Sequence, residues 1–328
     1  MFETKYHSAD ITKLSFLITG GAGFIGSNIV EYLLKHGARK VRVIDNLITS
    51  DGSNLEKFKS NGAFEFYKGD LRNVEDCRYS VKGIDVICHQ AALGSVPRSV
   101  KDPVSTNDHT VASFVNLIAA ANAEGIKRIV YASSSSVYGD SPILPKVEDN
   151  IGNPISPYAV SKYACELYAK AFGPLYKMEF VGLRYFNVFG PNQSPKGAYA
   201  AVIPLFVDGL LNGKNIKIYG DGEQTRDFTF VENVVQANVK GMLVPEGKAT
   251  NQVYNVAYSD AYTVNDLYNK ISVLLNIEKS PEYLEERAGD IKHSLASIEK
   301  AKQLLGYEPI FDLENGLEIS MEHYKKAL

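Results

Sequence analysis

A glycine-rich turn near the N-terminus constrains the fold more than any other feature. Gly20, Gly23 and Gly26 have the spacing GxxGxxG and lie between a β-prone apolar run at 14–19 and a helical pattern at 27–36. In a strand–turn–helix unit, the first glycine permits the tight turn, the second lets the backbone approach a pyrophosphate, and the third allows close packing of helix against strand. The helix N-terminus then faces the phosphates with its partial positive charge. A glycine turn without a ligand is the alternative that the motif alone leaves open. The predicted cofactor contacts of the turn are Gly20, Gly23, Phe24, Ile25 and Gly26.

Strand patterns alternate with helical patterns along the first half of the chain. Strands that are apolar nearly throughout and alternate with helices predict a parallel sheet covered on both faces. We therefore predict an α/β fold, with a Rossmann-type doubly wound parallel sheet and a smaller C-terminal α/β lobe for the substrate. The predicted boundaries are 1–185 for the cofactor-binding domain, with a returning segment near 228–258, and 186–328 for the smaller, discontinuous lobe. Further strands are predicted at 40–45, 64–70, 83–89, 128–132 and 179–184, and helices at 104–123 and 156–172.

An acidic residue at the end of the second predicted strand indicates which dinucleotide binds. Asp45 lies nineteen residues after Gly26, where a carboxylate accepts hydrogen bonds from a ribose 2′-hydroxyl and repels a 2′-phosphate. This position favours NAD over NADP. Asp70 ends the third predicted strand, where a carboxylate is able to receive the adenine amino group. Either acid is also suited to cap a helix.

A tyrosine, a lysine and a serine run form the candidate catalytic set. Tyr158 and Lys162 make the pattern YxxxK on one face of the long predicted helix, and serines occupy 133–136 after the fifth predicted strand. A tyrosine is a poor base at neutral pH because its ordinary pKa is about 10. A neighbouring ammonium and the positive charge of an oxidised nicotinamide both favour the phenolate. Alone, YxxxK is more often a solvated helix face with a packed ring, but beside a dinucleotide turn and a strand-end serine it predicts proton transfer coupled to hydride transfer.

The composition argues against several classes of protein. The formal net charge is −3 and the basic residues are spread over the 328 positions, which argues against general binding of nucleic acid or anionic membranes. Cys77, Cys88 and Cys165 form no CxxC pair, so we expect neither a disulfide framework nor a metal site. No run has the length of a signal peptide core or a membrane helix, and we expect a cytoplasmic protein.

Together these motifs resemble the extended short-chain dehydrogenase/reductase family, and the resemblance covers almost the whole chain. More narrowly, the runs at 89–99 and 197–204 are similar to those of bacterial UDP-N-acetylglucosamine 4-epimerases, which supply polysaccharide precursors. The resemblance implies NAD as cofactor, a UDP-sugar as substrate, C4 epimerisation through a 4-keto intermediate, and a homodimer paired through the helices at 104–123 and 156–172. The nucleotide-sugar branch of the family is indicated by 183–191, 220–222, 226–228 and 287–290, which read LRYFNVFGP, GDG, RDF and RAGD.

The resemblance also implies a role for each residue that matches a family motif. Tyr158 corresponds to the base, Lys162 to the residue that holds the nicotinamide ribose and favours the phenolate, and Ser134 to the hydroxyl partner. Ser135 and Ser136 are near enough to leave that last assignment open. Asn187 and Arg226 are expected to contact the UDP phosphates, with Arg287 and Asp290 closing the uridine end. The predicted cofactor site also includes Asn46, Ser50, Gly52, Leu71, Gln90, Ala91 and Ala92, and the substrate site also includes Gly94, Ser95, Ala201, Val202, Lys217 and Tyr219.

Two positions are compared with the family pattern: Ser294 bears on substrate choice, and Thr110 departs from the usual residue. In the family, the position four residues after the Asp of RxGD gates the sugar pocket, and a large tyrosine there is typical of enzymes restricted to UDP-glucose and UDP-galactose. Here it is Ser294, which leaves room for a 2-acetamido group, although an ordinary surface serine is the alternative. Seven residues after Pro103, where the family usually has an asparagine near the nicotinamide, this chain has Thr110, with Asn107 nearby.

Several other activities compete with epimerisation of UDP-N-acetylglucosamine. A nucleotide-sugar 4,6-dehydratase typically has Asp-Glu directly after the strand-end hydroxyl, whereas Ser135 and Ser136 follow here. A sugar 4-reductase favours NADPH, which Asp45 disfavours. A UDP-N-acetylglucosaminuronate 4-epimerase and activity on UDP-glucose both stay open. A non-catalytic NAD-binding module is able to dispense with the Ser, Tyr and Lys set that this sequence retains.

Overall fold

Residues 1–185 contain all six predicted strands, and helical structure follows each of the first five. The computed structural model describes residues 1–194, 201–247, 249–286 and 292–327. Short 3₁₀ helices lie at Ile11–Lys13, Ser53–Phe58 and Ser135–Tyr138. The other elements of this half, in chain order, are β1 Ser15–Thr19, α1 Phe24–Lys35, β2 Lys40–Asp45, β3 Phe64–Lys68, α2 Val74–Val81, β4 Val86–His89, α3 Val96–Lys101, α4 Pro103–Asn107, α5 Ser113–Glu124, β5 Arg128–Ser134, α6 Pro157–Tyr176 and β6 Glu179–Tyr185.

The second half contains shorter strands and longer connections. Its strands are mostly two or three residues long, and one of five residues returns to the main sheet. The elements are β7 Val188–Phe189, α7 Val202–Leu211, β8 Lys217–Tyr219, β9 Thr225–Arg226, β10 Thr229–Phe230, α8 Val231–Leu243, β11 Gln252–Val256, β12 Tyr262–Thr263, α9 Val264–Leu275, β13 Glu282–Leu284, α10 Glu299–Leu305 and α11 Leu313–Ala327.

Seven strands form one parallel sheet in the order β11-β6-β5-β4-β1-β2-β3. The chain runs outward from β1 to β3, returns to β4 on the other side of β1, and continues outward to β11. The order of the strands therefore reverses between β1 and β4, and a crevice opens at the carboxyl ends of the strands at such a point. The prediction of a Rossmann-type, doubly wound sheet is confirmed.

Alternating side chains of the central strand enter two separate cores. Phe16 and Ile18 of β1 pack in one apolar cluster with Val30 of α1 and Val234 of α8. Leu17 points to the opposite face and packs in a second cluster with α2 and α5. Because successive side chains of a strand point to opposite faces, an unbroken apolar strand requires helices on both sides. Both faces of the sheet are covered by helices, and only the strand ends are left for ligands.

The helix predicted at 104–123 is interrupted by a π-helical turn, Asp108–Ala112, between α4 and α5. Asp102 caps α4 by accepting a hydrogen bond from Ser105 N–H at 3.1 Å, and Pro103 occupies the first turn. At the start of α5, directly after the π-helical turn, the Ser113 hydroxyl donates to the His109 carbonyl oxygen at 2.7 Å. A hydroxyl that bonds the carbonyl four residues back competes with the backbone ladder and bends helices. We attribute the local irregularity to this competition.

The smaller lobe has a core of its own. Phe206 of α7, Leu267 of α9 and Leu317 of α11 are buried together with aromatic residues that include Phe230. Three two-stranded pairs, β7 with β10, β8 with β13 and β9 with β12, attach its connections to this core. Among the described residues, no helix has both the length and the apolar character needed to cross a membrane.

Candidate active site

The glycine turn has the tight geometry that the motif predicts. Gly20 has φ of +65°, and a side-chain carbon at this position would lie 2.7 Å from Ala91 N. At Gly26 such a carbon would lie 2.3 Å from Gly20 O, so any side chain would push α1 away from the turn. Gly23 is the N-cap of α1 and leaves its first turn without a side-chain cap. A phosphate placed there meets backbone amides and the positive end of the helix.

Two carboxylates lie at or just after the ends of β2 and β3, and the first of them meets this turn. Asp45 accepts hydrogen bonds from Ala22 N–H at 3.0 Å and Leu47 N–H at 2.9 Å, and burial raises its pKa. Asp70 is bound by the Arg72 guanidinium, with a shortest distance of 2.7 Å, and by the Asn46 amide at 3.0 Å. The Arg72 hydrogen bond is the main reason that the pKa of Asp70 lies below its ordinary value. Both acids keep further lone pairs with which to accept from a ribose hydroxyl or an adenine amino group.

A cleft of about 470 Å³ runs between these acids and the end of β4. It brings together residues that are far apart in the sequence and that were predicted as cofactor contacts. The predicted residues that line it are Asp45, Asn46, Asp70, Leu71, Ala91 and Ala92, and the others are Ile44, Ile48, Thr49, Gly69, Leu93, His109 and Ser113.

His109 is a residue of this cleft that the sequence analysis missed. Its side chain is 8% exposed, and its Nδ1 lies 2.8 Å from the Ser105 carbonyl oxygen, so Nδ1 carries the proton and Nε2 of a neutral ring is an acceptor. Nε2 is buried and has no hydrogen-bond partner among the described residues, and neither does the hydroxyl of neighbouring Thr110. Buried polar atoms are normally satisfied, so such atoms beside a cleft indicate a ligand. No short motif in the sequence signals this histidine.

The other predicted cofactor residues lie around the same turn. Ser50 donates its hydroxyl hydrogen bond to Ala22 O at 2.8 Å, and Gly52 adopts a left-handed conformation two residues later. The side chain of Gln90, by contrast, bonds within the protein, to Asn238 at 3.0 Å and to the Tyr185 hydroxyl at 3.1 Å. With its side chain engaged in this way, Gln90 has its backbone left for contact with the cofactor.

The predicted catalytic pair, Tyr158 and Lys162, lies at the start of α6. Ser156 caps this helix by accepting from Ala159 N–H at 3.1 Å, which fixes Tyr158 in the first turn. Lys162 is 4% exposed, and its Nζ lies 6.0 Å from the Tyr158 ring centroid. The same Nζ donates to Ala132 O in β5 at 2.8 Å. Lys162 thus connects the tyrosine to the strand that ends in the serine run.

The serine run divides into buried and accessible members. Ser133 is buried and donates to Glu166 at 2.5 Å, so it is engaged inside the fold. Ser134 is half-buried at the strand end, and its Oγ accepts from Ser136 N–H at 3.1 Å. The Oγ of Ser136 is buried without a hydrogen-bond partner among the described residues. These contacts leave Ser134, Ser135 and Ser136 as the candidates for the hydroxyl partner.

A buried ion pair lies directly behind these residues and was not predicted. Glu166 follows Tyr158 and Lys162 at a further spacing of four, on the same face of α6. Its carboxylate binds the Arg184 guanidinium in β6 through two hydrogen bonds, of 2.9 and 2.7 Å. Because Glu166 also accepts from Ser133, one carboxylate links α6 to both β5 and β6.

A histidine near the ammonium of Lys162 is held in its neutral form. Burial, with a smaller contribution from the charge of Lys162, lowers the pKa of His89 to about 3. His89 bonds the Thr19 hydroxyl at 2.8 Å and stacks on Phe114. The lysine is thus the positive group at this point of the site.

The predicted substrate residues are supported by the smaller lobe. Arg226 in β9 donates to Thr225 O at 2.9 Å and to Lys292 O at 3.4 Å, and Ser294 N–H donates to Thr225 O at 3.2 Å. Asn187 donates to the carbonyl oxygen of Asp227 at 3.0 Å. Asn187, Arg226 and Ser294 are therefore brought together through β9 and its neighbours.

The remaining predicted substrate residues lie on different elements. Ser95 caps α3 and accepts from Arg98 N–H at 3.2 Å, with exposed Gly94 before it. Ala201 and Val202 stand at the start of α7, and Lys217 and Tyr219 are the ends of β8. The predicted contacts Arg287 and Asp290 lie outside the described residues.

These features fit a bound NAD. The turn excludes side chains at Gly20 and Gly26, the two acids stand at or just after the ends of β2 and β3, and His109 carries a buried, unpartnered nitrogen beside the cleft. The residues that would hold NAD are those of the glycine turn, Asp45, Asp70 and Lys162. Among the described residues, no group of three or more acidic, histidine or cysteine side chains is placed to hold a metal ion.

Comparison with known proteins gives the family. Residues 16–257 match the family described as NAD dependent epimerase/dehydratase. The UDP-glucose 4-epimerase of Mycolicibacterium smegmatis is 35% identical over 316 residues, which cover 94% of this chain and 98% of that protein.

Two solved structures are similar over 96% of this chain. The UDP-N-acetylglucosamine 4-epimerase of Methanobrevibacter ruminantium, in complex with UDP-N-acetylmuramic acid, has a TM-score of 0.90, 39% identity and 99% of its chain covered. The UDP-glucose 4-epimerase of Thermus thermophilus, in complex with NAD, has a TM-score of 0.85, 33% identity and 100% of its chain covered. The chain belongs to the NAD dependent epimerase/dehydratase family, and NAD is its cofactor.

Proposed function

We propose that this protein is a UDP-sugar 4-epimerase that interconverts UDP-N-acetylglucosamine and UDP-N-acetylgalactosamine. The observation that carries the proposal is the bond from Lys162 Nζ to Ala132 O, two residues before Ser134. It ties the ammonium that lies 6.0 Å from the Tyr158 ring centroid to the strand that ends in Ser134. The names of the relatives, which are UDP-glucose and UDP-N-acetylglucosamine 4-epimerases, support the same reaction.

In the proposed mechanism, Tyr158 and Ser134 handle one proton of the sugar. The Tyr158 phenolate takes the proton of the 4-hydroxyl, with Ser134 hydrogen-bonded to the same oxygen. When bound, NAD⁺ supplies the redox chemistry by accepting the C4 hydride and returning it. Between these two events the 4-keto sugar turns over while Asn187 and Arg226 hold its UDP group. Tyr158 then returns the proton to the C4 oxygen, so the cycle leaves no net oxidation.

The choice of the N-acetylated sugar rests on Ser294. Its side chain is half-buried, and its backbone is fixed to Thr225 at 3.2 Å, next to Arg226. A hydroxymethyl group at this place leaves volume for a 2-acetamido group that a tyrosine ring would fill. UDP-glucose fits the same space. UDP-N-acetylglucosaminuronate is the main alternative substrate, since it differs only at C6.

The residues around Ser134 and Lys162 distinguish an epimerase from the rival activities. Ser135 and Ser136 form a 3₁₀ turn after it, so no carboxylate occupies the two positions where a 4,6-dehydratase typically has its acid and base. A non-catalytic NAD-binding module needs neither the Tyr158–Lys162 pair nor the bond that ties Lys162 to β5.

One incubation series tests the proposal. Purified protein is incubated separately with UDP-N-acetylglucosamine, UDP-glucose and their uronates, and the 4-epimers are separated by chromatography. We expect the N-acetylated pair to equilibrate without added NAD, and Tyr158→Phe to lose turnover about 10²- to 10⁴-fold while it still binds UDP-sugar. Near-normal turnover by Tyr158→Phe contradicts the assignment of the base. A 4-keto-6-deoxy product identifies a dehydratase, and no product from any UDP-hexose identifies a binding module.

We also propose that two copies of the chain pair through α4 and α6. Val104 in α4 and Val160, Leu167 and Leu175 in α6 are large apolar side chains exposed on helices that pack against each other. A two-fold axis across such a pair buries the same patch on both subunits. Light scattering on the purified protein tests this, and a monomeric mass contradicts it.

A further inference from the structure

Asp227 is a fully buried carboxylate beside the predicted phosphate-binding Arg226. Its Oδ1 accepts hydrogen bonds from Tyr258 N–H at 3.2 Å and Ser259 N–H at 3.3 Å, and its Oδ2 accepts from Ala296 N–H at 3.1 Å. A single side chain therefore joins the segment after β11 to the segment 292–297. The two segments are also joined directly, because the Ser259 hydroxyl donates to Ala296 O at 2.7 Å.

The backbone of Asp227 joins a third segment to these two. Its carbonyl oxygen accepts from the Asn187 side chain at 3.0 Å. Arg226 precedes it in the chain, and Ser294 lies two residues before Ala296. The three side chains proposed to hold the phosphates and admit the sugar thus belong to segments that meet at one residue.

We propose that Asp227 is a positioning residue that sets the distance between the sugar-admitting segment 292–297 and the phosphate-binding pair Asn187 and Arg226. This inference rests on the proposed function. Above the pKa of Asp227, its ionised carboxylate suits the role because it is acceptor-only and satisfies three N–H groups at once. An isosteric amide offers one oxygen, and its NH₂ group opposes an N–H donor, so either Ala296 or the Tyr258–Ser259 pair is released.

Release of the segment has consequences for binding rather than for chemistry. Tyr158 and Lys162 lie on α6 in the other lobe and do not depend on Asp227 for their contacts. The sugar and the phosphates, however, would be held in a looser geometry. The proposal therefore predicts a rise in KM, with a change in the discrimination between acetylated and non-acetylated sugars, and a kcat that is nearly constant at saturating substrate.

The test uses Asp227→Asn with Asn233→Asp as a matched control. Asn233, in α8, is as fully buried as Asp227 and joins three backbone groups, with Ile310 N–H at 2.9 Å, Phe311 N–H at 3.2 Å and Phe311 O at 2.7 Å. Its partners belong to a segment that holds no predicted substrate residue. Each substitution exchanges one oxygen and one NH₂ group, so the two variants disturb packing to a similar extent.

The measurements are NAD content, kcat and KM for UDP-N-acetylglucosamine and UDP-glucose, and calorimetric binding of each UDP-sugar. We expect Asp227→Asn to keep its NAD and to keep kcat within about threefold, while KM for UDP-N-acetylglucosamine rises about ten- to a hundredfold. The ratio of kcat/KM for the two sugars changes as well. For Asn233→Asp we expect KM and this ratio to stay within about twofold of the unmodified enzyme.

An unchanged KM and ratio in Asp227→Asn overturns the proposal, and so do equal changes in both variants, which mark a merely structural role. If Asp227→Asn does not fold, Ser259→Ala is measured instead, because it removes the hydroxyl bond between the same two segments. An unchanged KM and an unchanged ratio of kcat/KM for the two sugars in this variant then overturn the proposal. Failure of the proposed function is distinct, because the unmodified enzyme then epimerises neither sugar.

Discussion

The buried ion pair that joins α6 to β6 provides a quantitative test of how the candidate site is held together. The side chains of Glu166 and Arg184 are 6% and 3% exposed. Glu166 accepts from Ser133, at 2.5 Å, and twice from Arg184. In Glu166→Gln one of the two oxygens becomes an NH₂ group. This group faces a donor, and the Arg184 charge stays buried without a counter-charge on α6.

The expected loss of stability follows from this burial. Removal of one partner from a buried pair costs about 3–5 kcal/mol, since the remaining charge is desolvated and uncompensated. Arg184 keeps its hydrogen bond to Glu148 O at 2.9 Å, so we expect about 3 kcal/mol, the lower end of that range. Glu299→Gln is the control. Its pair with Lys302 spans 3.2 Å on the surface, with side chains 65% and 45% exposed, and such pairs contribute about 0.2–1 kcal/mol.

The assay is denaturant unfolding at a fixed, saturating concentration of NAD, because a ligand that binds only the folded state shifts the midpoint by mass action. A variant in which both Glu166 and Arg184 are replaced by methionine should recover a large part of the loss, since no isolated charge is left in the interior. A loss in Glu166→Gln of less than about 1 kcal/mol, or one equal to that of Glu299→Gln, would refute the reasoning.

Three further substitutions test the site. Ser294→Tyr should lower kcat/KM for UDP-N-acetylglucosamine about five- to 150-fold by overfilling the pocket, with less effect on UDP-glucose; equal loss on both sugars argues against the gate. Lys162→Met should reduce kcat about 10²- to 10⁴-fold, and rates near normal would remove the lysine from the catalytic set. His109→Ala should speed the release of bound NAD about two- to tenfold, as expected for one lost hydrogen bond, and unchanged retention means that Nε2 does not contact the cofactor.

Local patterns predicted the fold well because they are enforced by local geometry. In the strand at 40–45, apolar residues recur at the period of a strand. In the helix containing Tyr158 and Lys162, paired residues recur at the period of a helix, and tertiary contacts only reinforce both patterns. The spacing of Tyr158 and Lys162 matches one helical turn, so their shared face was readable. The seventh strand, β11, was expected only as a returning segment, since its five residues carry no turn motif that identifies their partner.

The features that escaped prediction depend on distant partners. Glu166 and Arg184 are separated by 18 positions, and a charged residue on a helix is normally solvated, so neither position signals burial. The π-helical turn occurs where the Ser113 hydroxyl bonds back to His109 O along its own helix. His109 enters the cleft beside this turn, and nothing in the neighbouring sequence indicates it. Asp227 stands next to a predicted arginine, but its partners, at 258, 259 and 296, are contributed by the fold alone.

The burial of Asp227 makes the stability of the protein depend on pH. Burial raises the pKa of Asp227 to about 7, against the three backbone bonds that lower it. In the unfolded chain the same carboxyl titrates near its ordinary value of about 3.9. Between these values the folded state holds a proton that the unfolded state has lost, so stability falls as the pH rises. The contribution is complete below about pH 4 and is lost by about pH 8, with a slope of at most about 1.4 kcal/mol per pH unit.

Asp227→Asn separates this contribution from every other titration, because its side chain is neutral at all pH values. The free energy of unfolding is measured for both proteins at intervals between pH 5 and pH 8, and the difference between them is plotted. The advantage of the unmodified protein over Asp227→Asn should decrease as the pH rises, and level off above about pH 8. A difference that is independent of pH means that the carboxylate stays ionised throughout, with its three N–H donors outweighing desolvation.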